Sequence, residues 1–405
     1  MNIPFSPPRI DQKIVQEVTN ALKSGWITTG PKTKLFENKI AEYCKVTNVL
    51  AVNSWTSGAE LLLYWYNIKA GDEVIVPVYT YCASANIVIH RGAKVIMVDV
   101  SSDFGIDITK IEKCINPRTK AIIPVDVGGL PIDYLALNML LNKKNIKKLF
   151  IPESENQQKL GRILVLSDAA HSFGALYNNE KVGSQADFTV FSFHAVKNLT
   201  TAEGGAICIN LPKPFKNSEI YKQLNTLSLH GQNKDALAKT KKGNWEYDVI
   251  DAGFKCNMTD ILASIGLVEL DRYEEETLPK RKAIFEKYNK ELSVYDFFIP
   301  PLFKDKNRES SYHLYLLRIK DCTLEERNSI IMEIFNQDVS VNVHYKPLPL
   351  LSYYKSNNYK MDDYPCAKKL WETEISLPVY YDLSEEQSDR VIKVLIDSVN
   401  KVINK

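Results

Sequence analysis

The sequence lacks the features that would direct the protein to a membrane or to nucleic acid. Its apolar runs, such as residues 74–78, are only as long as a strand, so we expect no segment that spans a bilayer. The first residues, MNIPFSPPRIDQK, have no basic start followed by an apolar block, and we therefore expect no signal peptide. A formal net charge of +2 gives no reason to expect nucleic acid or an acidic lipid surface as a partner.

Cysteine pairs and nucleotide-binding loops are also missing. The seven cysteines are an odd number and stand singly, without a CxxC pair. This pattern predicts reduced thiols in a cytoplasmic protein and argues against a disulfide framework or a metal site. No Walker loop is present and no GxGxxG motif follows the first apolar run, which disfavours nucleotide hydrolysis and a Rossmann dehydrogenase.

The sequence does contain a succession of short apolar runs from about residue 48 onward. Several runs are β-branched and continuous, as expected of strands that are covered on both faces. Helical patterns at 58–66, 83–90 and 134–141 separate some of them, and this alternation predicts an α/β domain around a mostly parallel, seven-stranded sheet. The seven runs are residues 49–52, 74–78, 95–100, 121–127, 163–166, 188–193 and 206–209.

The regions beside these runs have a different pattern. Residues 11–24 have helical spacing that ends at Gly25, a plausible C-cap, and the loop 25–31 leads to a second amphipathic helix. Residues 142–162 are polar and basic with little periodicity, which predicts an inserted surface loop.

The last third of the chain predicts a smaller unit. A long helical pattern at 259–292, with Thr259 as a candidate N-cap, leads out of the large domain. We expect a large domain of residues 1–270, with 1–30 contributing to a cleft or an interface, and a small C-terminal α+β domain of residues 271–405. The elements expected in the small domain are strands at 312–319 and 339–345, a helix at 324–336 and a last helix from Ser384.

The strand ends carry the candidate functional residues, because ligands of parallel sheets bind beyond the carboxyl ends of the strands. Residues 187–207 place Lys197 after a strand, among hydroxyl-bearing residues and glycines. A lysine that is removed from water there loses part of its charge and becomes a nucleophile capable of Schiff-base chemistry. From this stretch alone, a lysine in a surface loop is an equally good interpretation.

Three further strand ends supply groups that suit an aromatic, phosphorylated ligand. Asp168 follows an apolar run, and a buried carboxylate needs a cationic partner, although a helix cap is the simpler interpretation of one aspartate. Tyr81 could stack on a flat heteroaromatic ring or belong to the core. The turn 53–61 offers hydroxyls and free N–H groups to a phosphate, and Ser192 offers one more hydroxyl. Together with Lys197, these groups are the ones that hold pyridoxal 5′-phosphate (PLP).

These segments, in this order, resemble the DegT/DnrJ/EryC1/StrS family of nucleotide-sugar aminotransferases. The resemblance covers nearly the whole chain and is too extensive to arise by chance. It implies the aspartate-aminotransferase (type I) fold, PLP as the cofactor and a homodimer with shared active sites. The matching segments read IPFSPPRI, GWITTGP, NSWTSGA, GDEVIVPVYTY, SDAAHSFGA, FSFHAVKNLTTAEGGA, LHG, GFKCNMTDILASIGL, YHLYLLRI, VHYKPLP and SLP.

The resemblance also implies roles for single residues. Lys197 would form the Schiff base with the cofactor and move protons, and Asp168 would pair with the pyridinium nitrogen. Tyr81 would stack on the ring, and His171 stands where the family has glutamine or histidine near the ring hydroxyl. The cofactor contacts expected around the phosphate are Ser192, Trp55, Thr56, Lys255 and Asn257.

Two places depart from the family pattern, and one agrees with its aminotransferases. Trp55 adds bulk where the backbone should approach the phosphate closely. Lys255 stands at the place of the asparagine that reaches the neighbouring subunit's phosphate, and Asn257 at that of the following arginine. Lysine can still bind phosphate as a point charge, so we expect Lys255 to make a weaker contact with that phosphate. Lysine at position 197 separates the chain from the sugar dehydratases of the family, which carry histidine there.

The activity implied is transfer of an amino group from an amino acid, which we expect to be L-glutamate, to a keto sugar on a nucleotide diphosphate. We expect a 4-keto-6-deoxyhexose such as UDP-2-acetamido-4-keto-2,4,6-trideoxyhexose, used for surface polysaccharide or antibiotic amino-sugar biosynthesis. A PLP-dependent dehydratase or lyase and a non-catalytic regulatory relative are the alternatives. The candidate substrate contacts are Thr28, Thr29, His230, His313, His344 and Tyr345. The basic run 234–242 with Trp245 could meet the nucleotide, but a solvated face is its simpler interpretation.

Overall fold

The computed structural model describes residues 2–234 and 246–403, so the basic run with Trp245 lies outside the described residues apart from Lys234. The α-helices are α1 (Gln12–Ser24), α2 (Pro31–Tyr43), α3 (Trp55–Trp65), α4 (Ala83–His90), α5 (Ile108–Ile111), α6 (Tyr134–Leu141), α7 (Lys144–Leu149), α8 (Glu155–Leu160), α9 (Asn217–Leu227), α10 (Asp260–Asp271), α11 (Leu278–Leu292), α12 (Leu324–Phe335), α13 (Ser352–Ser356), α14 (Pro365–Thr373) and α15 (Glu385–Ile403). The strands are β1 (Asn48–Val52), β2 (Glu73–Pro77), β3 (Lys94–Val98), β4 (Thr119–Ile122), β5 (Leu164–Asp168), β6 (Leu176–Tyr177), β7 (Glu180–Lys181), β8 (Phe188–Ser192), β9 (Gly205–Ile209), β10 (Phe298–Ile299), β11 (Arg308–Glu309), β12 (Tyr315–Ile319) and β13 (Glu374–Leu377). Within these described ranges, no helix has both the length and the apolar character needed to cross a membrane.

A seven-stranded sheet forms the centre of the larger part of the chain, as the apolar runs predicted. Its strand order is β1-β9-β8-β5-β4-β2-β3. Strands β3, β2, β4, β5 and β8 pair in parallel, whereas β9 runs antiparallel to both β1 and β8. Every residue of β2, β4, β5 and β9 is buried, which requires cover on both faces of the sheet. The predicted α/β architecture is confirmed.

Local capping explains where several predicted helices begin and end. The Asp11 carboxylate accepts hydrogen bonds from two backbone N–H groups at the start of α1, and Gly25 ends this helix with a φ of 77°. Glycine adopts that left-handed conformation without a steric penalty. Ser384 and Gln387 exchange reciprocal hydrogen bonds at the start of α15, at 2.9 and 3.1 Å. These contacts form between near neighbours, and for that reason the sequence predicts them well.

A second hydrophobic core surrounds the antiparallel sheet β10-β12-β13 and includes side chains of α11, α12 and α15. The strand expected at 339–345 is wrong. Val339 forms an isolated bridge with Ile3, and Asn342 forms another with Ser376. Because the segment pairs with two different partners in succession, no continuous strand ladder develops. Strand β13 and helix α14 had no counterpart among the predicted elements.

The long helix expected at 259–292 is interrupted. Helix α10 ends at Asp271, a π-helical turn covers Tyr273–Thr277, and α11 follows. Pro279, in the first turn of α11, has no N–H to continue the hydrogen bonding of an α-helix across the junction. The predicted N-cap is correct, since Thr259 accepts a hydrogen bond from the N–H of Leu262.

Residues 142–162 are not the plain surface loop that was expected. They contain the short helices α7 and α8, which bury Ile146, Gln157 and Leu160. The Gln157 side-chain amide donates to the carbonyl of Tyr66 at 2.9 Å. A few buried contacts therefore anchor a segment whose sequence is mostly polar.

The buried carboxylate of Asp260 joins α10 to the N-terminus of α2. Its Oδ1 accepts from the N–H groups of Gly30 and Thr33 at 2.8 and 2.9 Å and from the Thr33 hydroxyl at 2.7 Å. Its Oδ2 accepts from the N–H of Lys32 at 3.0 Å. Three of these four bonds satisfy backbone N–H groups at the helix end that would otherwise lack partners, and together the four hold the loop 25–31 in place.

We expect Asp260→Asn to lower the free energy of unfolding by about 2 kcal/mol, because the amide NH2 would face the N–H donor of Lys32. Urea denaturation at fixed protein concentration, followed by circular dichroism, measures the change. Asp271→Asn, at the other end of α10 with a side chain 60% exposed, is the matched control and should change stability little. Equal losses in the two variants would contradict the capping role.

Candidate active site

One cleft of about 530 Å³ brings together most of the predicted site residues. Its lining follows the ends of β1, β2, β4, β5 and β8, which is the edge of the sheet where ligands are expected. The predicted residues that line it are Trp55, Thr56, Tyr81, Asp168, His171, Ser192, Lys197, His313, His344 and Tyr345.

Asp168 is the last residue of β5 and is buried at the cleft. The Ser84 hydroxyl donates to its Oδ2 at 2.8 Å, and the N–H of Ala170 donates to its Oδ1 at 3.2 Å. Burial raises the pKa of Asp168 to about 6, against the opposing effects of these hydrogen bonds and of the Lys197 charge. A carboxylate in such surroundings is stabilised by any further cationic group that enters the cleft.

Lys197 lies in the turn between β8 and β9, and its N–H donates to the carbonyl of His194 at 2.9 Å. Burial lowers the pKa of the Lys197 amine to about 8, although the attraction of Asp168 acts in the opposite direction. Roughly a tenth of the amine is therefore neutral near pH 7, far more than for an ordinary lysine, and the neutral form is the nucleophile. The alternative of a lysine in a surface loop does not describe this geometry.

The N-terminus of α3 forms one wall of the cleft. The N-cap Ser54 accepts from the N–H of Ser57 at 3.1 Å, and the first turn presents N–H groups to an anion. Trp55 is only 5% exposed and packs in the main core, so its bulk does not hinder approach to the backbone, contrary to expectation. A Cβ on Gly205 would lie 2.8 Å from the Trp55 nitrogen, so this close approach of β9 requires glycine.

Ser192 and Tyr81 complete the surfaces that a phosphorylated ring would meet. Ser192 is the last residue of β8, and its hydroxyl oxygen accepts a long hydrogen bond of 3.5 Å from the N–H of His194. The Tyr81 ring is 61% exposed, with its centroid 5.9 Å from that of Tyr345. Tyr81 is therefore not a core residue, and its ring can stack on a ligand.

His171 is a neutral imidazole whose tautomer follows from its contacts. The N–H of Gly128 donates to its Nδ1 at 3.2 Å, so the ring proton is on Nε2. Nε2 is 2.8 Å from the Tyr345 hydroxyl and donates to its oxygen. Burial and the charge of Lys197 hold the pKa of His171 well below its usual range. The hydroxyl proton of Tyr345 is consequently available to a ligand in the cleft.

His313 is the neighbour of His171, with the ring centroids 4.4 Å apart. The Asn198 amide nitrogen donates to the carbonyl of Ser311 at 2.7 Å, so its oxygen accepts from the His313 Nδ1 at 2.8 Å. Burial holds the pKa of His313 well below its usual range. Because both imidazoles are neutral, the charge at this part of the cleft comes from Asp168 and Lys197.

Five predicted site residues are not in the lining of their own chain's cleft. The Thr29 hydroxyl donates to the carbonyl of Met258 at 2.5 Å and accepts from the Asn257 amide at 2.6 Å. His230 and Lys255 are exposed. The residues outside the lining are Thr28, Thr29, His230, Lys255 and Asn257.

Several residues in the cleft or behind it were missed from the sequence. Asp126 is outside the cleft lining; it is fully buried and accepts from the hydroxyls of Ser172 and Tyr134 at 2.6 and 2.9 Å. Burial raises the pKa of Asp126 to about 7. Its place at the end of an apolar run, like that of Asp168, was the available signal. The lining residues that were also missed include Phe5, Ser6, Ser84, His194, Glu203 and Asn342.

Comparison with known proteins gives a consistent result along nearly the whole chain. The model of the DegT/DnrJ/EryC1/StrS aminotransferase family matches residues 8–150 and 153–396. Spr1654 of Streptococcus pneumoniae, assigned as a sugar aminotransferase, is 45% identical in its PMP form, with a TM-score of 0.95 over 99% of this chain and 100% of that chain. The PLP form of the same protein is 43% identical, with a TM-score of 0.94 over 99% and 100% of the two chains.

Two further proteins are similar over their full lengths. The spore coat polysaccharide biosynthesis protein SpsC of Bacillus subtilis is 33% identical over 98% of this chain and 97% of its own. Helicobacter pylori PseC, an aminotransferase involved in the biosynthesis of pseudoaminic acid, is 27% identical, with a TM-score of 0.84 over 99% of this chain and 100% of its own.

Acylation of Lys197 by acetic anhydride in the ligand-free protein should increase as the pH rises through about 8, because only the neutral amine reacts. Mass mapping of the peptides measures the rate, with the exposed Lys216 as an internal reference. Asp168→Asn should move the midpoint to lower pH, since the Asp168 carboxylate favours the charged amine. A Lys197 rate that stays constant between about pH 7 and about pH 9 would contradict the lowered pKa.

Proposed function

Because the chain belongs to the DegT/DnrJ/EryC1/StrS aminotransferase family, we propose that it moves the amino group of L-glutamate to the keto group of a nucleotide-diphosphate sugar. Family membership makes the protein a PLP-dependent sugar aminotransferase of the type I fold. The amino donor and the nucleotide sugar are the more specific part of the proposal. The donor rests on the family resemblance, and the sugar rests on two similar proteins and on polar side chains of the cleft.

The residues of the cleft fit PLP. The first turn of α3, together with Ser192, offers N–H groups and hydroxyls to the phosphate. The buried carboxylate of Asp168 would meet the ring nitrogen, and the Lys197 amine would meet the aldehyde carbon. The exposed ring of Tyr81 would cover one face of the cofactor ring.

The two ionisable groups have complementary roles in amino transfer. PLP, when bound, supplies an electron sink for the carbanion at the carbon that carries the amino group. The negative charge of Asp168 would keep a proton on the ring nitrogen, which the electron sink requires. Lys197 would accept the proton from the amino-bearing carbon as a neutral amine and return it in the opposite half-reaction. General-base catalysis of this kind contributes roughly 10²–10⁴-fold to the rate.

The single observation that carries this proposal is that Asp168 and Lys197 line one cleft, at the ends of two neighbouring parallel strands. Burial raises the pKa of Asp168 to about 6 and lowers that of Lys197 to about 8. Groups whose pKa values are moved toward the working pH are the ones expected of an acid–base site. Lys197 also supports amino transfer over dehydration, since the sugar dehydratases of this family carry histidine at the corresponding position.

The proposed substrate is UDP-2-acetamido-4-keto-2,4,6-trideoxyhexose or a related 4-keto-6-deoxyhexose. Support comes from SpsC and PseC, whose names connect them with spore coat polysaccharide and pseudoaminic acid. The polar side chains of His313, His344 and Tyr345 line the cleft and offer contacts to sugar hydroxyls. A role in surface polysaccharide or antibiotic amino-sugar synthesis follows from this proposal.

We also propose a homodimer in which each chain completes its partner's site. Thr28, Thr29, His230, Lys255 and Asn257 are outside the lining of their own cleft, which supports contacts made across a dimer interface. The amine of Lys255 is exposed and could bind the partner's phosphate as a point charge.

The division into a large domain of residues 1–270 and a small domain of residues 271–405 remains part of the proposal. The second core, which comes mainly from residues after 278, supports it. Phe5 and Ser6 in the cleft lining support a contribution of residues 1–30 to the site.

Amino transfer can be tested by incubating the purified protein with ¹⁵N-labelled glutamate and a panel of UDP-, dTDP- and GDP-linked keto sugars. Mass spectrometry should find one product in which C=O has become CH–¹⁵NH2, with 2-oxoglutarate formed in equal amount. Lys197→Ala should remove the product, because it removes both the nucleophile and the base. Lys216→Ala, at a lysine with a side chain 74% exposed, is the control and should retain activity.

Three results would contradict the proposal. Loss of water or ammonia from the sugar without incorporation of ¹⁵N would indicate a dehydratase or lyase. Absence of a labelled product with every keto sugar would contradict the substrate class. Undiminished turnover in Lys197→Ala would contradict the catalytic role of this lysine.

A further inference from the structure

A buried chain of polar groups connects Glu374 with the cleft through Ser376 and His344. Glu374 and Ser376 belong to β13 and are both 0% exposed. The Glu374 Oε1 and the Ser376 Oγ are 2.5 Å apart, and the Ser376 Oγ is 2.9 Å from the His344 Nδ1. The backbone N–H of His344 donates to the Glu374 Oε2 at 3.0 Å. The amino-transfer steps described above use neither Glu374 nor Ser376.

Contacts on several sides hold the His344 ring at the cleft. The Phe5 ring stacks on it with centroids 5.4 Å apart and an interplanar angle of 22°. The Tyr79 hydroxyl donates to the His344 carbonyl at 2.9 Å. Nδ1 is occupied by Ser376, and within residues 2–234 and 246–403 no group hydrogen-bonds to Nε2. Nε2 is therefore the ring nitrogen that can contact a substrate.

The directions of the hydrogen bonds between Glu374, Ser376 and His344 depend on whether Glu374 carries a proton. When Glu374 is ionised, the Ser376 hydroxyl donates to Oε1, and the Ser376 oxygen accepts from the His344 Nδ1–H. The neutral imidazole then has a lone pair on Nε2. When Glu374 is protonated, Oε1–H donates to the Ser376 oxygen, and the Ser376 hydroxyl donates to Nδ1. The imidazole then carries its proton on Nε2, so the same ring becomes a donor.

We propose that Glu374, Ser376 and His344 form a proton relay in which Glu374 determines whether the His344 Nε2 donates or accepts a hydrogen bond at the substrate. In the forward direction the Oε1–H bond breaks as Oγ–H forms, the former Oγ–H proton moves to Nδ1, and the Nε2 proton passes to an oxygen of the substrate. One proton thus leaves Glu374 and one reaches the substrate. Glu374 and Ser376 are positioning residues, because they act through His344.

The pKa values of Glu374 and His344, the residues at the two ends of the relay, are compatible with it. Burial raises the pKa of Glu374 to about 8, although the hydrogen bond from Ser376 and the charge of Arg327 oppose the effect. Burial and the charge of Lys197 lower the pKa of His344 to about 3. The imidazole therefore stays neutral near pH 8 and changes its tautomer instead of its charge.

Charged and titratable groups on the neighbouring elements complete the surroundings. On α12, the Arg327 guanidinium donates to the Glu374 carbonyl at 3.2 Å, and on β12, Arg318 is the register partner of Glu374. Burial holds the pKa values of Tyr79 and Tyr345 well above the usual range, so both phenols remain neutral. The other groups that face His344 are Lys197 and the neutral histidines His171 and His313.

The relay can be observed directly by NMR of the full-length holoprotein labelled with ¹⁵N-histidine, with His344→Asn used to assign the signal. In the wild type, the proton of His344 should move from Nε2 to Nδ1 as the pH rises through about 8. Glu374→Gln should keep the proton on Nε2 at every pH, because the amide can donate to Ser376 as the protonated acid does. In Ser376→Ala, the His344 signal should no longer follow the titration of Glu374.

Two results would overturn the relay. One is a His344 tautomer that stays the same in the wild type from about pH 6 to about pH 10. The other is a tautomer change in Glu374→Gln with the wild-type midpoint. If circular dichroism shows that one variant does not fold, the other variant and the wild-type titration still decide between the outcomes.

The link to substrate rests on the proposed function and has its own readout. In the amino-transfer assay, kcat should fall as Glu374 loses its proton above about pH 8, and this fall should disappear in Glu374→Gln. The rise of kcat that follows deprotonation of Lys197 should remain in the variant. The same fall of kcat in the variant would contradict the role of the relay in the reaction. A tautomer change without amino transfer to any keto sugar would contradict the proposed function and leave the relay intact, so the two failures can be distinguished.

Discussion

The removal of one carboxylate and one amine from water at the same edge of the sheet is the constraint on which the site depends. Asp168 ends β5, Lys197 follows β8, and these two strands are parallel neighbours. Burial raises the pKa of the acid and lowers that of the base, so a ligand that brings a cationic nitrogen and an electrophilic carbon stabilises both. The continuous buried strands make this arrangement possible, because their packing keeps the two groups in place.

Three histidine side chains of the site are uncharged, and hydrogen bonds fix the tautomers of two of them. His171 is fixed as the Nε2–H tautomer by the N–H of Gly128, and His313 is fixed by Asn198. Neutral imidazoles neither pair with the Asp168 carboxylate in place of a cationic ligand nor repel the charge of a pyridinium. The proposed relay adds a histidine, His344, whose tautomer changes without a change of charge. The His344 ring thus adds no charge beside Asp168 and Lys197 in either tautomer.

The sequence predicted the central sheet and most of the cleft because their signals are local. Continuous apolar runs mark the strands, and residues placed directly after them, such as Asp168, Tyr81 and Ser192, reach the same edge. The family resemblance around Lys197 indicated Schiff-base chemistry, which the hydrophobic periodicity of the sequence could not indicate by itself. Caps such as that at Gly25 were equally accessible, because they involve near neighbours.

The features that were missed depend on contacts between distant residues. Residues 339–345 pair first with Ile3 and then with Ser376, and no local pattern records a change of partner. Trp55 is buried in the main core, and other members of that core belong to strands far along the chain. Glu374 reads as one charged residue of a helix–strand junction, and only the fold shows it buried behind His344.

The central claim is that Lys197 is the lysine to which PLP attaches, opposite Asp168. Reduction of the purified protein with sodium borohydride, followed by peptide mass mapping, tests it most directly. A phosphopyridoxyl group on the peptide that contains Lys197, absent from Lys197→Ala, is the predicted result. The same group on another lysine of the wild type, or no labelled peptide after saturation with PLP, would contradict the account.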